Sequence, residues 1–174
     1  MMIQKLGDVC DFYTGNGFPI KYQGKSIGEL PFYKVGDIAN NVSEGNVFLE
    51  FCGNYISRNE AKELKVQIVP KNTIVFAKIG EAVKLNRRAI TSRDCLIDNN
   101  CMGIMPKDDL DLKYFYYFMK NLKMERLAET TTVPSVKKSK LENLKFNFSI
   151  KEDQIKIGQQ LDKIYLIVLL QKKQ

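Results

Sequence analysis

Apolar and polar residues alternate most regularly at the end of the chain, from residue 149 to residue 174. Uncharged residues recur there at steps of four and three, the a and d rhythm of a helix that pairs with another helix. These positions are Ile150, Gln154, Ile157, Leu161, Ile164, Val168 and Gln171. Ser149 and Glu152 have the spacing of a capping box, which marks a helix N-terminus. The pattern predicts a long C-terminal helix with a coiled-coil seam formed by Ile157, Leu161, Ile164 and Val168.

The apolar stripe widens near the end of this helix, where residues 165–170 read YLIVLL without a charge. A helix that is apolar on all sides must be covered on several of them. The cover can be its own domain, a second copy or another subunit, and a C-terminal helix that only closes its own core also fits the periodicity. The run is far too short to span a membrane, and the N-terminus lacks the apolar stretch of a signal peptide.

Upstream of this helix, short runs end at glycine, proline or asparagine, as is typical of small strands and helices. Strands are predicted over residues 30–35, over the hairpin TIVFAKIG–AVKLNRRAIT, over CLIDNN and CMGIMP, and over LKFNFSI. Helices are predicted from Leu6 to Tyr13, over SRNEAKEL with Ser57 and Glu60 as a capping box, from Leu110 to about Leu127, and from Ser139 with Glu142. Gly36-Asp37 and Asn40-Asn41 are predicted turns.

This mixture predicts an α+β fold: a compact domain of mixed strands and short helices over residues 1–148, followed by a spacer or dimerisation helix over residues 149–174. The chain has four scattered cysteines and no histidine. Structural zinc sites usually bring ligands in close pairs, so no metal site is predicted, and reduced thiols favour a cytoplasmic protein. The absence of histidine also removes most general-base schemes of catalysis.

The net charge of +7 is concentrated in two parts of the chain. Residues 58–93 hold nine basic and three acidic residues, and residues 129–174 hold nine and five. Such clustering suits a polyanion, although a solvated surface explains it equally well. In the predicted hairpin, alternation places Val83, Leu85 and Ile90 inside and the basic residues outside.

Nucleic-acid binding is the chemistry that these residue types serve best. Lys and Arg neutralise phosphates, whereas Asn, Gln and Arg contact base edges. The candidate DNA-binding residues are Asn16, Lys21, Gln23, Lys25, Lys78, Lys84, Asn86, Arg87, Arg88, Thr131, Thr132, Lys137 and Lys138. No phosphate-binding glycine loop occurs, and the chain has no Pro-Pro sequence of the kind that a methyltransferase tetrad requires.

The order of several segments resembles the specificity subunits of type I restriction-modification systems. These segments are KLGDVCDFYTGNGFP, FYKVGDI, IVPKNTIVFAKIGEAVKLNRRAI, DNNCMGIMPK, LKYFYYFMKNL and KLENLKFNFSIKEDQIKIGQQLDKI. In that family a target recognition domain of about this length reads one half of a bipartite DNA site, and the following helix is a spacer that packs antiparallel on its counterpart. The usual proline-rich entry to the helix is replaced here by FNFSIKEDQ.

The resemblance implies a non-catalytic subunit that binds double-stranded DNA and positions methyltransferase subunits and, through them, the restriction subunit. ATP and S-adenosylmethionine would bind those partners, so no cofactor is expected on this chain. One recognition domain and one helix imply either a half subunit that forms a homodimer on an inverted repeat or a fragment of a longer subunit.

Two other functions remain compatible with the residues. A small metal-dependent nuclease would use Glu63, Asp94 or Asp98. A coiled-coil interaction module would carry its basic surface incidentally. Cleavage of plasmid by the chain with magnesium would favour the first, and a random-oligonucleotide selection without an enriched motif would favour the second.

Overall fold

A four-stranded antiparallel sheet forms the centre of the protein, in a computed structural model that describes residues 2–129 and 132–172. Its strands, in their spatial order, are β2 (Cys10–Thr14), β8 (Cys101–Pro106), β5 (Ile74–Ala77) and β6 (Arg88–Ile90). The hairpin of β5 and β6, and the position of β8 within CMGIMP, confirm these predicted strands.

Two smaller sheets flank the central one. The first joins β3 (Leu30–Tyr33) to β4 (Tyr55–Ile56) and, in parallel, to β7 (Leu96–Ile97). The second joins β1 (Met2–Lys5) to β9 (Lys145–Phe148), so that the two ends of the folded body meet. This arrangement of mixed strands with short helices and one long terminal helix confirms the predicted α+β class.

Six α-helices lie in the described residues. They are α1 (Leu6–Val9), α2 (Val35–Ser43), α3 (Arg58–Glu63), α4 (Leu112–Asn121), α5 (Lys138–Glu142) and α6 (Lys151–Lys172). Three short 3-10 turns cover residues 20–22, 81–83 and 124–127. None of these helices is long and apolar enough to cross a membrane.

Both faces of the central sheet are covered, which explains why its strands are apolar on both sides. Ile74 and Phe76 of β5 face a core that includes Phe115 and Met119 of α4. Val75 between them faces a second core with Ile38 of α2. Because the sheet has no solvated face at β6, all three residues of that strand are buried.

Two segments differ from the sequence prediction because long-range pairing overrides the local pattern. The predicted helix over residues 6–13 ends at Val9, and Cys10–Thr14 instead forms a strand along β8. The predicted turns at Gly36-Asp37 and Asn40-Asn41 lie inside α2. The Asn41 amide stabilises this helix from within the core, since it donates to Phe51 O and accepts from Glu50 N, both at 2.8 Å.

The predicted helix ends are partly correct. Ser57 accepts from Glu60 N at 3.1 Å and the Glu60 carboxylate accepts from Ser57 N, which confirms this capping box. Ser139 lies inside α5, whose first residue is Lys138, so the cap predicted there is wrong. Helix α6 begins at Lys151, one residue later than a cap at Ser149 requires. Helix α4 ends at Asn121, short of Leu127, because a 3-10 turn follows.

Candidate nucleic-acid interface

Three connections of the central sheet meet at one of its ends. Thr14 ends β2 and Ala77 ends β5, while Cys101 begins the antiparallel β8 between them. Gly15 N donates to Cys101 O at 3.4 Å, and Lys78 N donates to Asn100 O at 2.8 Å. The residues that follow β2, precede β8 and follow β5 are therefore neighbours in space.

A fourth segment, from residue 132 to residue 138, joins the same end. Gly80 N donates to Pro134 O, and Val136 N donates to Lys78 O, both at 2.8 Å. These bonds place Lys137 and Lys138 beside Lys78, although about sixty residues separate them in sequence. The result is a basic crevice of about 460 Å³. Polar side chains that line it are Thr14, Lys78, Ser135, Lys137, Lys138, Ser139 and Glu142.

Among the described residues, the cations of the basic crevice have either no carboxylate partner or only a weak one. Lys137 Nζ lies 2.8 Å from Glu129, and Lys138 Nζ lies 3.4 Å from Glu142, with all four side chains partly exposed. Exposed ion pairs contribute little, about 0–1 kcal/mol, so a phosphate can replace these carboxylates at small cost. Within the described residues, the Lys78 ammonium has no carboxylate partner within 4 Å. The lysines of the crevice can therefore bind the phosphate groups of a nucleic-acid backbone.

The turn Asp98–Asn100 borders the crevice and was missed as a candidate site. Asp98 accepts from Asn100 N at 2.9 Å, which fixes the turn, and leaves Asn99 exposed. A carboxamide in such a position can make two hydrogen bonds to an adenine edge. The sequence predicts two short strands around Asp98-Asn99-Asn100, but no local signal shows that these residues lie beside Lys78.

Gly15 brings the Asn16 loop directly against this turn. A Cβ at Gly15 would lie 1.7 Å from Asp98 O, so no other residue fits there. Asn16 N donates to Ile97 O at 3.0 Å and its side chain is half-buried. Asn16 therefore lies next to the Asp98–Asn100 turn, at the same end of the sheet as Lys78.

The remaining candidates of the Asn16 loop serve mainly its own structure. Gln23 donates to Phe18 O at 2.8 Å and accepts from Lys34 Nζ at 2.7 Å, so both ends of its amide are used inside the protein. Lys25 is paired with Glu60. Lys21 is exposed, with its ammonium 4.6 Å from the Tyr22 ring centre, and remains available to a phosphate.

The hairpin residues divide into exposed and internal ones, which corrects the predicted alternation. Arg87 is exposed, and Lys84 is exposed but pairs with Glu81 at 2.8 Å. Leu85, predicted inside, is exposed. Arg88, predicted outside, is only 2% exposed, because helices cover both faces of β6. Its pKa falls to about 10 because burial penalises the charged form.

Asn86 and Arg88 bind the end of α4 instead of facing solvent. Arg88 Nη2 donates to Leu122 O at 2.9 Å and to Asn86 Oδ1 at 2.8 Å. Asn86 Nδ2 donates to Lys120 O at 3.0 Å. The left-handed backbone of Asn86, with φ of 54°, suits this position because asparagine tolerates it better than most residues. Both side chains thus make hydrogen bonds inside the protein, at the end of α4.

Arg88→Ala should therefore lower the stability of the protein, whereas Arg87→Ala should lower only its DNA affinity. Arg88→Ala removes two hydrogen bonds from a charged donor and leaves a cavity, so we expect a loss on the order of 3 kcal/mol and a clearly lower Tm. Arg87→Ala should leave the Tm unchanged and weaken DNA binding. Thermal unfolding and salt-dependent DNA titration of both variants measure the two effects. Equal Tm values would contradict the structural role of Arg88.

The last two candidates are Thr131 and Thr132. Thr132 is exposed next to residues 133–136. Thr131 lies outside the described residues.

The described part of the chain shows no group of three metal-ligating side chains. Among the carboxylates considered for a nuclease, Asp98 fixes its own turn and Asp94 accepts from Lys71 N at 3.2 Å.

The predicted seam of α6 is a second candidate surface, and the structure divides it. Gln154 lies against the protein's own body and is 1% exposed. Leu161 and Ile157 are half-buried, whereas Ile164 and Val168 are 56% and 41% exposed. The far part of the seam thus lies uncovered, together with the exposed Leu166, Ile167 and Leu170.

Comparisons with known proteins agree on one family. The family model described as the type I restriction modification DNA specificity domain matches residues 1–174. The chain is 25% identical over 179 residues to the type I restriction enzyme MjaIX specificity subunit of Methanocaldococcus jannaschii, covering 99% of this chain and 39% of that protein.

Solved structures show the same fold. A chain from structural work on complex assembly and conformational transition of the type I R-M system superposes with a TM-score of 0.75 at 18% identity, over 99% of this chain and 40% of that one. The HsdS subunit from Thermoanaerobacter tengcongensis gives 0.70 at 18% identity, over 99% and 39%. The chain thus spans about two fifths of the length of these relatives.

Proposed function

The chain belongs to the family of type I restriction modification DNA specificity domains, and from this premise we propose that it reads one half of a bipartite double-stranded DNA site. The observation that carries the proposal is the meeting of Lys78, Lys137 and Lys138 with the Asp98–Asn100 turn at one end of the central sheet. The lysines neutralise the phosphate backbone and so supply salt-dependent affinity. The exposed Asn99 beside them supplies a group that distinguishes bases.

The mechanism is one of positioning without catalysis by this chain. Methyltransferase subunits, and through them the restriction subunit, dock on the DNA that this subunit has selected. ATP and S-adenosylmethionine are bound by those partners. Four free cysteines, three of them buried, support a cytoplasmic location.

A second copy of the chain supplies the other half of the site. Its α6 pairs with the first along Ile157, Leu161, Ile164 and Val168, whose exposed outer part supports such a contact. A two-fold pair of identical bodies reads an inverted repeat with a fixed gap. An equivalent helix later in the same polypeptide is the other source of a partner, and the mass of the purified chain in solution distinguishes the two.

Methylome sequencing of cells with and without this chain tests the proposal. We expect a bipartite motif that is methylated only in cells that contain the chain, because the methyltransferase is directed by this subunit. A strain with alanine at Lys78, Lys137 and Lys138 should lose the same motif. Identical methylation in all three strains would contradict DNA recognition by this chain.

A further inference from the structure

One face of α6 is anchored to the body along much of the helix. The residues of this anchored face are Gln154, Gly158, Asp162, Tyr165 and Leu169, at steps of four, four, three and four. Gly158 lies so close to α4 that a Cβ would come within 3.1 Å of Tyr114 N. Near the other end of α6, the Leu169 side chain lies against Gly45, which follows α2. A Cβ added at Gly45 would lie 3.1 Å from this side chain.

Gln154 is the first polar anchor of this face. Its Oε1 accepts from Asp111 N at 2.8 Å, and its Nε2 donates to Asp109 O at 3.0 Å and to Ser149 O at 2.8 Å. Asp111 is also the residue that caps α4, since it accepts from Tyr114 N at 2.9 Å. Buried hydrogen bonds of the Gln154 amide therefore hold the first turn of α6 against the first residues of α4.

Asp162 is the second polar anchor, two turns further along. Its Oδ1 accepts from the Tyr117 hydroxyl at 2.7 Å, and its Oδ2 binds the Lys113 ammonium. The desolvation of Tyr117 and its bond to Asp162 raise the pKa of this phenol, so it remains a donor at all physiological pH values. Tyr165 adds an edge contact with the Tyr117 ring, with centroids 6.4 Å apart.

Two anchors eight residues apart fix both the position of α6 along its axis and its rotation. At 3.6 residues per turn, the seam positions 157, 164 and 168 lie about a quarter turn around the helix from the anchored face. The seam therefore points in one direction relative to the end of the sheet that carries the basic crevice.

We propose that Gln154 and Asp162, acting through Asp111 and Tyr117, are positioning residues that set the length of the gap between the two half-sites. This inference rests on the proposed function, because it requires two bodies joined through their seams. Changing the gap by one base pair rotates one half-site by about 34° and moves it by about 3.4 Å. A helix held at two points cannot follow that change, whereas a helix freed to rotate on its body can.

The test compares binding of the chain, with its methyltransferase partner, to duplexes in which two inverted half-sites are separated by gaps of different lengths. We expect the unchanged chain to lose at least about tenfold in affinity when the gap changes by one base pair, and Gln154→Ala/Asp162→Ala to lose less than about threefold. Tyr117→Phe, which keeps the ring packing, should fall between them. Asp162→Asn should stay close to the unchanged chain, because an amide oxygen still accepts from the Tyr117 hydroxyl and the lost ion pair with the partly exposed Lys113 contributes little.

The control is Gln159→Ala/Lys163→Ala, which removes one glutamine and one charged side chain from an exposed part of α6. It should keep the original gap preference. If the unchanged chain prefers one gap and Gln154→Ala/Asp162→Ala and Tyr117→Phe prefer it equally, the positioning role is refuted while the proposed function stands. If the unchanged chain binds none of these duplexes better than a duplex without the half-site, the proposed function fails, and this inference fails with it.

Discussion

A chain that carries Ile164→Glu and Val168→Glu is expected to be monomeric at concentrations where the unchanged chain is a dimer. Both residues are exposed in the single chain, at 56% and 41%, so the substitutions leave the folded body intact. Burying such a side chain contributes about 1.5–3 kcal/mol, and a two-fold seam loses four of them. The dissociation constant should therefore rise by at least about three orders of magnitude.

Light scattering and circular dichroism measure the mass and the fold of this variant. Gln159→Glu/Lys163→Glu is the matched control, because it adds glutamates to an exposed part of the same helix away from the seam. The control should keep the mass of the unchanged chain. A dimeric Ile164→Glu/Val168→Glu chain would show that the seam is not the contact, and a monomeric unchanged chain would point to a partner helix in a longer polypeptide.

Replacement of Lys78, Lys137 and Lys138 by alanine should have the largest effect on DNA affinity. Each phosphate contact contributes about 0.9 to the slope of log affinity against log salt, so three lost contacts reduce the slope by about 2.7. The same relation gives a loss of about 500-fold at 0.1 M salt. The fold should persist, since Lys137 and Lys138 are exposed and their ion pairs are weak.

Titration of duplex DNA at several salt concentrations measures both quantities. Alanine at Lys145, Lys156 and Lys163 is the control, because it removes the same charge from exposed positions on β9 and α6. The control should change the slope by much less. An unchanged slope in the variant at Lys78, Lys137 and Lys138 would remove the basic crevice from the DNA interface, whatever the variant's stability.

The candidate site was partly predictable from residue types. Lys78, Lys137 and Lys138 were predicted as DNA-binding residues because lysines are the usual partners of phosphate. Their common location was not predictable, since it depends on the bonds of Gly80 and Val136 to residues more than fifty positions away. Asn99 was missed for the same reason, because a turn sequence does not say which other connection lies beside it.

Arg88 and Asn86 show the opposite error. Local alternation assigns Arg88 to the outside of a hairpin, and this rule fails when a strand is covered on both faces. The carbonyl groups of Lys120 and Leu122 at the end of α4 require donors, and these two side chains provide them. These hydrogen bonds form only because α4 packs against β6, and the local sequence does not show that contact.

The sequence by itself determined the α+β class, the β5–β6 hairpin and the long terminal helix, because period, turn residues and helix formation are local properties. Only the tertiary structure decided that Gln154 leaves the predicted seam for the body of the protein, and that four distant connections form one basic crevice. The physical reason is that burial and hydrogen-bond satisfaction depend on which distant segments contact each other. The spacing of neighbouring residues does not determine those contacts.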